Sequence, residues 1–176
     1  MGEHMSMQNR EQEQCMAVRA VPLTMPADGR QSQAALAIQR GVRRYFAGLG
    51  AVSLTELTLA SFRRADVAAL MPDGRIVIVE IKSSLADYRS DGKWRDYGDF
   101  CDGFLFAVAP EFPAEIIPEH AGLLIADAYG AALVRDGAPR ALAPARRKAM
   151  TLRFARAAAG RLHTLADPEG AAGFMD

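Results

Sequence analysis

The run Arg75-Ile76-Val77-Ile78-Val79-Glu80-Ile81-Lys82 constrains this chain more than any other segment. Four consecutive β-branched residues favour a strand, and a strand without polar alternation is one buried on both faces. It ends in a carboxylate and an ammonium two residues apart. Side chains in a strand alternate, so Glu80 and Lys82 point to the same side of the sheet. A charge in a buried strand is expensive unless it is paired or used. The two residues are therefore candidates for chemistry.

What precedes the strand gives them a partner. Pro72-Asp73-Gly74 is a turn signal, and Arg64 to Leu70 reads as the other arm of a hairpin. With the turn centred on Asp73, Asp66 and Glu80 lie seven residues to either side and face each other. A one-residue slip would send Asp66 to the opposite face. Two opposed carboxylates in a low-dielectric site repel, and a hard divalent cation relieves that repulsion. Mg²⁺, or Mn²⁺ in its place, takes one or two carboxylates together with water and phosphate oxygens. The expected metal ligands are Asp66, Glu80 and the main-chain carbonyl of Ile81, with Glu56 as a candidate third acid. Lys82 would hold the attacking water or stabilise charge in the transition state, making Asp66, Glu80 and Lys82 the expected catalytic group. Gln39, Asp87, Asp91, Lys93 and Trp94 are accessory candidates. The bland alternatives are a surface Glu-x-Lys pair, solvated loop charges and, for Trp94 and Tyr97, core anchors.

The remaining pattern predicts one domain over residues 30–166. Residues 1–29 read as a disordered leader, partly vector-derived, and 167–176 as a tail. Gln31 to Phe46 suits an amphipathic helix. Ser53 to Leu59 alternates as a strand, and Ser83 to Gly92 reads as a polar connection. Lys93 to Tyr97 reads as a short helical turn. Gly103 to Ala109, Gly122 to Ala128 and Ala131 to Arg135 read as strands, and Pro144 to Leu165 as a long helix. This order predicts an α/β (α+β) fold, a mixed central sheet flanked by helices.

Net charge is zero, yet it is unevenly spread. Residues 51–139 carry 14 acidic and 8 basic side chains, whereas residues 140–161 carry seven basic ones and no acid. Residues 30–46 are also basic without an acid. An acidic centre between basic helices suits a metal site beside a phosphate-binding surface. The DNA-binding candidates are Arg40, Arg43, Arg44, Arg146, Arg147, Lys148 and Arg153. Cys15 and Cys101 form no metal or disulfide pattern, and His4, His120 and His163 do not cluster. No phosphate-binding GxxxxGK[ST] loop occurs. With no apolar run long enough to span a bilayer and no secretory pattern, the expectation is a cytoplasmic protein with no membrane partner.

Asp66 followed by Glu80-Ile81-Lys82 on adjacent strands resembles the PD-(D/E)xK nuclease superfamily. The wider run narrows it: Arg63-Arg64-Ala65-Asp66-Val67, Val79-Glu80-Ile81-Lys82-Ser83-Ser84, Asp87-Tyr88-Arg89-Ser90-Asp91, Lys93-Trp94-Arg95-Asp96-Tyr97 and Cys101 to Val108. Together these resemble the MmcB-type bacterial DNA repair proteins, over roughly residues 30–160. The resemblance implies a restriction-endonuclease-like core, DNA and DNA repair proteins as partners, a homodimer as a candidate assembly, and a Mg²⁺-dependent nuclease acting at damaged or branched DNA. It departs from the superfamily pattern at Ala65, where Pro often stands. The alternative is a DNA-binding module of a repair complex that keeps the fold with little or no cleavage.

Overall fold

The computed structural model of the protein describes residues 32–169 except 91, 93 and 139. The expected leader, Asp91, Lys93 and the tail beyond 169 lie outside the described residues. Helix α1 spans Gln33–Gly48. It starts two residues later than periodicity suggests because Ser32 caps it, accepting a hydrogen bond from the Ala35 amide at 3.1 Å. Its Ile38, Val42 and Phe46 fall at four-residue intervals and are buried as one stripe.

Six strands follow: β1 (Val52–Thr58), β2 (Arg64–Leu70), β3 (Ile76–Lys82), β4 (Gly103–Val108), β5 (Gly122–Ala126) and β6 (Ala131–Arg135). They form one sheet in sequence order. Strands β1, β2 and β3 pair antiparallel, β3, β4 and β5 pair parallel, and β6 returns antiparallel to β5. A short helix α2 (Leu85–Ser90) follows β3, and 3₁₀ turns cover Trp94–Asp99 and Ala114–Ile116. Helix α3 is Pro144–Ala166. This is the expected mixed sheet flanked by helices, consistent with a restriction-endonuclease-like core. The expected polar connection 83–92 differs in containing α2. There Ser84 Oγ accepts from the Asp87 amide at 3.1 Å, a cap that nucleates a turn.

Each face of the sheet has its own core. On one, Val67, Val79, Ile81, Leu105 and Leu124 pack under the α1 stripe. On the other, Ala68, Ile76 and Ile78 pack with Tyr97, Leu142 and the α3 residues Met150 and Phe154. Helix α1 seats closely because of Gly41. A Cβ there would lie 2.1 Å from the Asp127 carbonyl oxygen. Arg44 fastens the same contact, donating to the Ala128 and Tyr129 carbonyls at 2.8 and 3.2 Å.

The first strand departs from strict alternation. Leu54 and Leu57 both pack toward the α3 side. Glu56, between them, has φ of 53°, a left-handed conformation that side chains other than glycine seldom adopt. That one residue re-aims the strand beyond it.

Asp102 ties the α3 side together. Its carboxylate accepts from the amides of Ile76 and Leu142 at 2.8 and 2.9 Å. It also takes two hydrogen bonds from Arg147, at 2.7 and 2.6 Å. Burial pushes this carboxyl up, and the bonds from Arg147, Ile76 and Leu142 outweigh it, so the group sits below the usual carboxylate range.

Candidate metal and nucleic-acid site

The site lies where β2 and β3 part. Their register runs from Leu70↔Ile76 to Val67↔Val79, the register that the turn at Asp73 predicts. Beyond Val67 and Val79 the two strands no longer pair with each other, while each keeps its outer neighbour. Ala65 and Arg64 pair with β1, and Glu80, Ile81 and Lys82 pair with Phe106, Ala107 and Val108 of β4. Asp66 sits at this fork. Its Oδ2 accepts the Ile81 amide at 2.8 Å, so the side chain replaces a ladder partner. In a strand a residue's N–H and C=O project to the same edge, so the Ile81 carbonyl faces the same gap.

Glu80 and Lys82 share the face of the sheet that Ile76 and Ile78 occupy, as period two requires. Lys82 Nζ lies 3.3 Å from Glu80 Oε1. The residues are 9% and 3% exposed, so this is a buried ion pair. Glu56 opposes Asp66 across β1 and β2, between the pairs Thr55↔Val67 and Leu57↔Ala65. Its carboxylate is ion-paired with Arg64, and its carbonyl accepts from Arg161 at 3.1 Å. Asp87 turns back onto the end of β3, accepting from the Ser83 amide at 3.1 Å and from Ser83 Oγ at 3.4 Å.

These neighbours act on Asp66. Burial raises its carboxyl most. The Ile81 amide lowers it, Glu56 raises it, Lys82 lowers it and Asp87 raises it. The balance lifts it to about 6. A buried carboxyl held up by burial and by two nearby acids is a site that a cation would stabilise. Among the described residues, no three His, Cys, Asp or Glu side chains gather at metal-ligand spacing. Two carboxylates and a main-chain carbonyl would suit a hard cation that keeps water and phosphate oxygens.

The other expected site residues divide. Gln39 lines a groove with Arg40, Arg43, Arg44 and Ser53 beside α1. Arg40 and Arg43 are exposed, as is Lys148. Four DNA-binding candidates have intramolecular partners. Arg44 holds the β5–β6 turn, and Arg147 holds Asp102 and the Gly74 carbonyl. Arg146 pairs with Asp99 at 2.7 Å, and Arg153 donates to the Thr58 carbonyl at 3.1 Å. A second groove of about 530 Å³ runs between β1 and α3, lined by Glu56, Arg153, Arg156 and Arg161. Tyr97 is buried, stacked on Phe104 with its hydroxyl donating to the Arg64 carbonyl. Trp94 packs on Phe104 and Phe106.

The family model for MmcB-like proteins, described as DNA repair protein MmcB-like, matches residues 23–169. The chain belongs to the MmcB-like family. Among solved structures, the chain is similar to the SPO1766 protein of unknown function from Silicibacter pomeroyi, with which it is 46% identical. That match covers 83% of this chain and 99% of the neighbour, with a TM-score of 0.77. No curated protein matches the chain. Membership places this MmcB-like chain in a DNA repair family. Among its described residues, no helix is long and apolar enough to cross a membrane.

Sequence reasoning missed the role of Asp102 in this MmcB-like fold. Its signal was present only as one acid before a buried strand, with no local hint of Arg147, which lies 45 residues away. The arginine groove beside β1 was visible only as a count of basic residues.

Proposed function

We propose that the chain is a metal-dependent phosphodiester hydrolase acting on DNA in repair, with a core of the PD-(D/E)xK kind. The observation that carries the reading is the fork between β2 and β3. It brings Asp66 against Ile81 and leaves Glu80 and Lys82 paired on the adjoining strand. Asp66, Glu80 and the Ile81 carbonyl would hold Mg²⁺ or Mn²⁺. When bound, such an ion supplies Lewis-acid charge neutralisation at the phosphate and makes water acidic enough to attack. Lys82 would orient the attacking water or donate to a non-bridging phosphate oxygen, after loosening its hold on Glu80. Asp66, carrying the raised carboxyl, is the group whose charge state gates ion binding. The arginines of the β1–α3 groove would bear on backbone phosphates, giving salt-sensitive affinity with little sequence readout.

The test is cleavage of single-stranded, flapped and branched DNA with Mg²⁺ or Mn²⁺. Asp66→Asn, Glu80→Gln and Lys82→Met should each abolish it, and a variant retaining full activity removes its residue from the mechanism. A second reading, a DNA-binding module without cleavage, is favoured by one observation: Glu56 is paired with Arg64, leaving two acids for the ion. Salt-sensitive DNA binding with no cleavage of any substrate would establish it.

A further inference from the structure

A cavity of about 260 Å³ lies on the same face of the sheet as Glu80 and Lys82, away from the fork. Trp94, Arg95, Gly98, Phe104, His120 and Arg140 line it. The link to the site is Phe106, the register partner of Glu80, whose ring meets Trp94 edge-on at 5.4 Å. Phe104 stands two residues earlier on β4, so the cavity begins about 7 Å upstream along that strand.

Its chemistry is specific. Trp94 stacks on Phe104 at 5.5 Å, and the His120 ring lies 5.8 Å from Trp94, making an aromatic wall. The Arg95 guanidinium sits 4.7 Å over the Trp94 ring. Arg140 packs against Gly98, where a Cβ would fall 1.5 Å from its Nη1, so the missing side chain makes room for that guanidinium. Among the described residues, no acidic side chain lines the cavity. Arg63, Arg64, Arg75, Arg146 and Arg147 each pair with a carboxylate. Arg95 and Arg140 have no such pair among the described residues. Two arginines and an aromatic wall, with no acid among the described lining residues, complement a ligand that joins a flat ring to an anion. The volume falls just below the ~300 Å³ at which pockets for larger small molecules begin, which fits one such unit.

We infer that this cavity binds one nucleotide, its base against the Trp94 and His120 rings and its phosphate between Arg95 and Arg140. The nucleotide comes free or as an unpaired unit of a DNA strand. Only the second source rests on the nucleic-acid reading of the β2–β3 site.

Trp94 is the chain's single tryptophan, so its fluorescence reports on the cavity directly. The full chain, without added metal, is titrated with deoxyadenosine monophosphate, deoxyadenosine, inorganic phosphate and a short single-stranded deoxyadenosine oligonucleotide. Saturable quenching by the monophosphate is expected, with deoxyadenosine at least tenfold weaker and phosphate silent. Arg95→Gln and Arg140→Gln should each weaken the monophosphate at least tenfold and leave deoxyadenosine unchanged. Quenching by the oligonucleotide alone assigns the cavity to a DNA strand, and by the monophosphate alone to a free nucleotide. No saturable quenching by either, or an unchanged affinity in a folded Arg95→Gln/Arg140→Gln double variant, overturns the proposal. Asp66→Asn should bind the monophosphate as the parent does, so loss of cleavage and loss of this cavity are told apart.

Discussion

Asp66 accepts the Ile81 amide at 2.8 Å at the point where β2 stops pairing with β3. A side chain thereby does what a neighbouring strand would otherwise do. It satisfies a buried amide and keeps the gap open, since the two strands need not close to pair. The same carboxyl is raised to about 6, chiefly by burial. The residue that holds the gap is thus also the one least comfortable as an anion within it.

That discomfort has a sign. The folded-state carboxyl lies above its ordinary value of 3.8, so the fold binds this proton more tightly than the unfolded chain does. The stabilisation is full below the ordinary value and is lost as pH rises through about 6. Asp66→Asn keeps an acceptor for Ile81 and removes the charge. It should stabilise the metal-free protein at pH 8 by about 1–3 kcal/mol, with the gain vanishing near pH 4. Urea unfolding at the two pH values measures this; an equal effect at both would show that charge is not the cause.

Divalent ions should reverse the penalty. Mn²⁺ is expected to raise the melting temperature of the parent at pH 8, because an ion that binds only the folded state stabilises it by mass action. The increase should disappear in Asp66→Asn and in Glu80→Gln. Calorimetry that finds the same Mn²⁺ affinity in all three proteins would place the ion elsewhere.

The buried Glu80–Lys82 pair separates stability from chemistry. Removing one partner leaves a buried charge poorly compensated, so Lys82→Met alone should cost roughly 3–5 kcal/mol. The double variant Glu80→Gln/Lys82→Met should recover much of this while cleavage stays abolished. A double-mutant cycle by denaturant unfolding gives the coupling; additive losses would mean that the 3.3 Å contact carries little energy.

Asp102 is expected to matter for the fold alone. Asp102→Ala strands the Ile76 and Leu142 amides and the Arg147 guanidinium, and should cost about 3–5 kcal/mol. Arg147→Ala should cost less, since the amide bonds to Asp102 remain. Cleavage by the surviving folded fraction should be unchanged, which per-molecule activity corrected for the folded population would reveal.

The sequence by itself determined the local terms. Hydrophobic pattern and turn chemistry around Pro72-Asp73-Gly74 set the β2–β3 hairpin and its register, because a slip would move every side chain to the wrong face. Period two put Glu80 and Lys82 on one side. Only the tertiary structure decided which charges act and which are held. It turned Arg44 onto a turn, Arg147 onto Asp102 and Glu56 onto Arg64. It opened the fork by ending the β2–β3 pairing at Val67↔Val79 while β1 and β4 keep their hold on the two strands. It also gathered Trp94, His120 and Arg140 around one cavity. The physical reason is range. Backbone preference and side-chain alternation act between near neighbours in the chain, whereas most of these contacts join segments dozens of residues apart and are settled only after packing has brought them together.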